Sequence, residues 1–293
     1  MIPEYKKDTV FFSSYFAKDD VNGIYSKVKA ILDENGVANG LLRNTADYWA
    51  RDYMPVQADT NRFIGYVYGP DYLVGQDKFL TNYHQVTSSL KVDKDISEMN
   101  VVIDGGNIVV AGDGKVIMTE KIFSENPEIE RNNLLQILQS EFQNEVIILP
   151  WDRIDRYGHT DGIVRAVDET TVLINLSVFP KRYAQKMRKT LSAHYKVVDL
   201  ELHSEHPNSW AYINSIQTEK VIIIPGFGDK NDITVLEQYN RLFSSYEDRI
   251  YMIEMGDFPE EYGGALNCLT WTVKRNKGFC KEVDYKGQNF HQD

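Results

Sequence analysis

Four short stretches of the chain gather acids, a histidine and a cysteine in surroundings unlike a solvated surface. Asp47-Tyr48-Trp49-Ala50-Arg51-Asp52-Tyr53-Met54-Pro55 sets two carboxylates and one guanidinium among aromatic residues. Asp104-Gly105-Gly106-Asn107 follows the apolar run Val101-Val102-Ile103, and its glycines would let backbone approach a ligand closely beside an acid. In Gly158-His159-Thr160-Asp161-Gly162, residues two apart on an extended segment share a face, which pairs a base with a carboxylate able to hold a cation. Gly263-Gly264-Ala265-Leu266-Asn267-Cys268 presents a cysteine after a glycine-rich approach, a nucleophile if something stabilises its thiolate. Each stretch also has a plainer reading. Arg51 could staple a loop through a carboxylate, Asp-Gly-Gly is a common turn, and His159 with Asp161 could be loop and turn residues. A free cysteine is most often a small buried hydrophobe.

Other chemistry is easier to set aside. His203-Ser204-Glu205-His206 has the wrong order for a His-Glu-x-x-His metal site and no third ligand nearby, so it reads as a solvent-facing loop before Pro207. No dinucleotide fingerprint, P-loop or Gly-x-Ser-x-Gly motif occurs, and Gly226-Phe227-Gly228-Asp229 is wrongly spaced for a phosphate cradle. Cys268 and Cys280 fit neither a disulfide framework nor a Cys-x-x-Cys motif, which suits a reducing cytoplasm. A net charge of −11 argues against nucleic acid or anionic membranes as partners and mildly favours a cationic ligand. No apolar run is long enough to span a bilayer, and the polar start Met1-Ile2-Pro3-Glu4-Tyr5-Lys6-Lys7-Asp8 lacks a signal-peptide core.

The elements that must position these stretches repeat along the chain. With 293 residues, 42% of them hydrophobic, and no linker-like tract, the sequence reads as one domain over 1–293. Val21, Ile24, Val28, Ile31 and Leu32 recur at helical spacing before Gly36. A weaker helix is predicted near Asp77. A third should open at Asn126-Pro127 and turn Ile129, Leu134, Ile137, Leu138 and Phe142 inward. Two more begin at Lys181, with Tyr183, Met187 and Leu191, and near Asp232, with Val235, Leu236, Tyr239 and Leu242. Between them, runs at 101–103, 146–149, 172–174, 221–224 and 250–253 are short, β-branched and bounded by breakers, hence strands. The five helix starts lie 49 to 56 residues apart, so a unit of one helix with a few strands, used five times, accounts for the length.

Taken in this order, the four stretches resemble the agmatine deiminase and bacterial-type peptidylarginine deiminase family of the guanidine-modifying, or pentein, superfamily. Asn208-Ser209-Trp210-Ala211-Tyr212-Ile213-Asn214 and Pro225-Gly226-Phe227-Gly228-Asp229 look like family segments too, and the likeness covers roughly residues 40 to 272. It implies an α/β, five-bladed pseudosymmetric propeller. It also implies roles: Cys268 as nucleophile, His159 as general acid/base, Asp104 as the acid that orients and charges His159, and Asp52 and Asp161 as the carboxylates gripping a guanidinium. Trp49, Arg51 and Trp210 join them as substrate contacts, with Trp210 and residues 203–208 as lid candidates. The implied reaction is cofactor-free and metal-free hydrolysis of a small guanidine through a Cys thiouronium intermediate. Agmatine comes first, free arginine second, and an arginyl peptide is a weaker choice. An amidinotransferase would share the intermediate, and a catalytically silent guanidine-binding protein is the alternative of another class. A homo-oligomer is compatible with all of these. The sequence departs from the family pattern in Asp104, where many relatives carry Glu, which shortens the reach to His159. It departs again in Asn267, where agmatine deiminases commonly carry His, and in its shorter chain.

Overall fold

A computed structural model describes residues 1–90, 96–204 and 206–275. The described residues form five three-stranded sheets. Four are built from a hairpin, a helical crossover and a strand parallel to the hairpin's second strand, and the first has the same strand directions drawn from both chain ends. The second sheet is Val56–Asp59 antiparallel to Arg62–Val67, which lies parallel to Ile96–Val102 after the helix Tyr83–Leu90. The third joins Val109–Val110, Val116–Thr119 and Val146–Leu149. The fourth joins Val164–Ala166, Thr171–Ile174 and Lys196–Asp199 around the helix Lys181–Ser192. The fifth joins Ile216–Gln217, Ile222–Gly226 and Ile250–Glu254 around Asn231–Leu242. The first sheet closes the ring from both chain ends. Its middle strand Thr9–Ser13 runs parallel to Ala38–Leu42 and antiparallel to the late strand Thr270–Val273, with Thr9 opposite Val273. This is the five-bladed pseudosymmetric α/β-propeller.

The parallel crossover explains why helix and strand alternate at the observed period: two parallel strands cannot be joined by a tight turn. Each crossover helix covers its sheet with an apolar stripe. Leu134, Leu138 and Phe142 do so in the third unit and Val235 and Tyr239 in the fifth, each fully buried side chain contributing about 1.5–3 kcal/mol.

Two predicted helices are shifted. Near Asp77 there is only the 3₁₀ turn Asp77–Phe79, and the helix of that unit is Tyr83–Leu90. Asn126 ends a helix, Lys121–Glu125, rather than opening one. Its side chain donates to the Val102 and Ile122 carbonyls and accepts from the Val102 amide, ties to two elements that a capping role does not supply. The following helix, Arg131–Phe142, is capped instead by the Glu130 carboxylate, and Ile137 on it is exposed. The helices at Lys181 and Asp232 stand where the spacing puts them, the second starting at Asn231. Among the described residues no helix is long and apolar enough to cross a membrane. Cys280 lies outside the described residues.

Candidate active site

In each unit the last strand must be connected to the first strand of the next unit, and the chemistry sits in those five connections. They span 43–55, 103–108, 150–163, 200–215 and 255–269. Each carries a short helical turn: Ala50–Tyr53, Gly105–Asn107, Thr160–Gly162, Pro207–Ile213 and Phe258–Tyr262. Stretches more than 50 residues apart in sequence therefore meet because they occupy the same place in successive repeats.

Glycines set how closely they meet. A Cβ on Gly106 would lie 2.5 Å from His159 Nδ1 and 2.7 Å from Asp52 Oδ1, and one on Gly105 would lie 2.0 Å from the Arg51 carbonyl oxygen. Only glycine allows that approach. Through it the Gly106 amide donates to Asp52 Oδ1 at 2.9 Å.

His159, a tenth exposed, is held between two carboxylates. Its Nε2 lies 3.1 Å from Asp104 Oδ2, and its Nδ1 lies 3.7 Å from Asp52 Oδ1. Asp104 thus reaches the ring in spite of its shorter side chain. Burial opposes the charged imidazolium, but Asp52 and Asp104 outweigh it and raise its pKa to about 10. Burial pushes Asp52 up to about 7, with Asp104, Asp161 and Asp47 adding to the rise and His159 opposing it. Asp47 is raised to about 7 by burial, eased by the Trp49 amide that it accepts at 2.9 Å.

Cys268 is a free, buried thiol. Its Sγ is 3.4 Å from Asn214 Oδ1 and 3.7 Å from Asp161 Oδ2. Burial, then the charges of Asp161 and Asp52, push the thiol pKa well above its ordinary value. At neutral pH both Cys268 and His159 are thus driven toward their protonated forms. A cation between Asp52 and Asp161 would cancel the charges that keep the thiol protonated.

Two adjoining cavities, about 570 and 440 Å³, share His159 and Cys268 in their walls. Asp161 and Trp210 line the larger; Asp52, Asp47 and Trp49 line the smaller. Four further carboxylates, Asp152, Asp155, Glu260 and Glu261, line the larger one, and among the described residues no lysine or arginine does. Trp49 is pressed so closely on the cysteine loop that a Cβ on Gly264 would sit 2.3 Å from its ring. Trp210 forms a side wall from its 3₁₀ helix, packed on the core and close over Gly162.

Arg51 lies elsewhere than a substrate contact would. It lines neither cavity and is buried behind them. Its guanidinium pairs with Glu4 at 3.1 Å and donates to Thr272 Oγ1 and Asn267 Oδ1, both at 3.1 Å. Asn267 in turn donates through Nδ2 to Asp161 Oδ2 at 2.8 Å. Arg51 thus has the geometry of a loop staple, tied to Asp161 through Asn267. The residue that sequence reasoning passed over is Asn214. Its Oδ1 accepts the Asn267 and Cys268 amides at 2.9 and 3.2 Å, which pins the Cys268 backbone from the fourth connection. Its only sequence signal was membership in the 208–214 segment. Lys121 and Glu125, buried behind Asp104, were passed over too.

Five repeats closed into a ring, with a cysteine, a histidine and paired carboxylates at the hub, define a pentein of the guanidine-modifying class. The chain belongs to the Porphyromonas-type peptidyl-arginine deiminase family, whose model matches residues 17–273. A curated protein of Lactococcus lactis subsp. lactis (strain IL1403), named "Putative agmatine deiminase", is 23% identical over 209 residues. That match covers 58% of this chain and 56% of the relative's length. Among solved structures, C. jejuni agmatine deiminase superposes with a TM-score of 0.73 at 15% identity, covering 94% of this chain and 96% of that one. The agmatine deiminase of Enterococcus faecalis gives 0.72 at 19% identity, with the same coverage. At these identities the likeness is one of fold.

Proposed function

We propose that the protein is a cytoplasmic, hydrolytic deiminase of a small guanidine with a cationic tail, agmatine first, releasing ammonia and a ureido product. The observation that carries this reading is the pairing of Cys268 with Asp161 on one side and His159 with Asp52 on the other, around one space. A guanidinium is planar and poorly electrophilic, and two carboxylates gripping its N–H edges bind it and concentrate positive charge on its central carbon. The incoming cation makes the thiolate favourable, and the thiol proton passes to solvent as the substrate is seated, since His159 already carries its own. Sγ then bonds to the central carbon. The imidazolium gives a proton from Nδ1 to one amino group, the C–N bond breaks, and ammonia departs, leaving an S-alkylthiouronium. Neutral His159 next takes a proton from water and the hydroxide oxygen adds to the same carbon. The C–S bond then breaks as the adduct's hydroxyl proton passes to sulfur, which restores the thiol and the imidazolium and frees the ureido product. Asp104 stabilises the imidazolium in both halves.

The tail preference rests on the carboxylates that line the larger cavity without a compensating cation. They favour an amine over the carboxylate of arginine. An ammonia-release assay over agmatine, arginine and a short arginine peptide tests the reading. Agmatine should turn over at least about tenfold more efficiently than arginine, a difference of about 1.4 kcal/mol. Absence of ammonia from all three would overturn the deiminase assignment.

A further inference from the structure

Behind Asp104, on the side away from the cavities, sits a charge pair that the proposed reaction does not use. Lys121 and Glu125 stand one turn apart on the helix Lys121–Glu125, with Lys121 Nζ 3.0 Å from Glu125 Oε1 and both side chains essentially sealed from solvent. A buried ammonium is costly unless paired, so this lysine calls for an explanation. Its Nζ also lies 3.8 Å from Asp104 Oδ2, the very oxygen that meets His159 Nε2, and 2.8 Å from Asp71 Oδ1. The rings of Tyr72 and Trp151 lie 5.0 and 5.9 Å from it. Among the described residues Asp104 Oδ1 is buried with no hydrogen-bond partner, and the cations that meet its carboxylate are Lys121 and His159. The result is an unbroken line: Glu125, Lys121, Asp104, His159.

We infer that Lys121 and Glu125 are positioning residues whose paired charges, acting through Asp104, set how tightly His159 holds its proton. The inference rests on the reading of His159 as the acid/base of a deiminase, but its electrostatic content does not depend on turnover. The pair works by opposition. The ammonium weakens the field that Asp104 exerts on the imidazole, and Glu125, when ionised, restores part of it. Burial and the Asp104 charge raise Glu125 to about 8, with Lys121 opposing, so its contribution switches on in the alkaline range. Lys121 is held above its ordinary value, against burial, by Glu125, Asp104 and Asp71, and stays charged there. The other groups facing His159 are Asp52 and Asp161 and the rings of Tyr72 and Tyr157. Tyr72 also meets the Lys121 ammonium at 5.0 Å, so Glu125→Gln, which leaves that contact in place, is the cleaner of the two variants.

The test is nitrogen-15 NMR of the His159 ring in the full chain at pH 10, where the parent should be about half neutral. Lys121→Met removes a positive charge within about 7 Å of the ring, a shift of about one unit or more, so the neutral fraction should fall to about a tenth. Glu125→Gln is nearly isosteric and removes a negative charge from farther away. There the neutral fraction should rise to about three-quarters, a shift of about half a unit. Opposite shifts establish the pair. A neutral fraction unchanged from the parent in both variants overturns it and leaves a merely structural ion pair. Should Lys121→Met fail to fold, Glu125→Gln decides alone by the same measure. Loss of ammonia release in the parent would sink the deiminase reading and leave this result standing.

Discussion

Replacing Asp104 by Asn removes the negative charge 3.1 Å from His159 Nε2 while keeping an acceptor of the same shape. A hydrogen bond to a charged group is worth about 1.5–3 kcal/mol in net terms, which at about 1.4 kcal/mol per pH unit is a loss of about 1–2 units of proton affinity. The His159 titration, near pH 10 in the parent, should move down to about 8–9, with Asp52 at 3.7 Å holding the remainder. In the proposed reaction the reacting form carries a thiolate and an imidazolium at once. A weaker hold on the histidine proton returns it to sulfur, so kcat/KM for the preferred guanidine should fall by about 10–100-fold. The stability consequence has a definite sign. A histidine raised from 6.5 to about 10 contributes stability that is complete below 6.5 and is lost as pH rises to about 10, so the variant should lose less stability than the parent over that range. The assays are nitrogen-15 NMR of the ring from pH 6 to 10.5, initial-rate kinetics, and thermal melts at pH 6.5 and 9.5. A titration midpoint that stays near 10 in Asp104→Asn would show that this carboxylate does not charge His159 and would refute the reasoning.

Three further outcomes follow from the geometry. Alkylation of Cys268 by iodoacetamide in the substrate-free protein should be slow at neutral pH and accelerate only above pH 9, since burial and Asp161 keep the thiol protonated, and Cys268→Ser should abolish ammonia release. Rapid neutral-pH labelling would contradict that protonation state. Gly106→Ala forces a methyl group within 2.5 Å of His159 Nδ1 and should lower kcat/KM at least about 100-fold with the fold intact by circular dichroism; activity within about threefold of the parent would mean the contact is not part of the site. Arg51→Met leaves Glu4 buried with Lys7 as its remaining ion-pair partner, so urea unfolding should report a loss of about 3 kcal/mol, the low end for breaking a buried pair, and a loss under about 1 kcal/mol would deny Arg51 its role as a staple.

What could be read in the linear chain was whatever depends on local spacing. The amphipathic stripes at Lys181 and Asp232 and the β-branched runs at 146–149, 172–174 and 250–253 carry their periods within a dozen residues, and the structure has them in place. The ordered polar stretches carried the family resemblance and with it the five-bladed architecture, and the near-regular return of the helices agreed. Strands such as Ala38–Leu42, with Asn39 and Gly40 inside, carry no such signal, because pairing with Thr9–Ser13 rather than intrinsic preference makes them strands. Asn126 looked like a helix cap until its side chain found Val102, 24 residues earlier, as a partner.

The roles within the site were decided in three dimensions. Arg51 and Asp52 are neighbours in sequence, yet one turns into the buried Glu4–Asn267–Thr272 network and the other lines the cavity with His159. A one-residue step on the short helix Ala50–Tyr53 rotates a side chain by about 100° and separates the buried network from the cavity wall, and no composition or spacing states which is which. Asn214, Lys121 and Glu125 were silent for a related reason. Their importance comes entirely from what the ring places against them: the Cys268 amide for Asn214, and the far side of Asp104 for the charged pair. Electrostatic and hydrogen-bond energies depend on distances across the hub, and those distances exist only once the last strand has paired with the first and the five connections have been drawn to one centre.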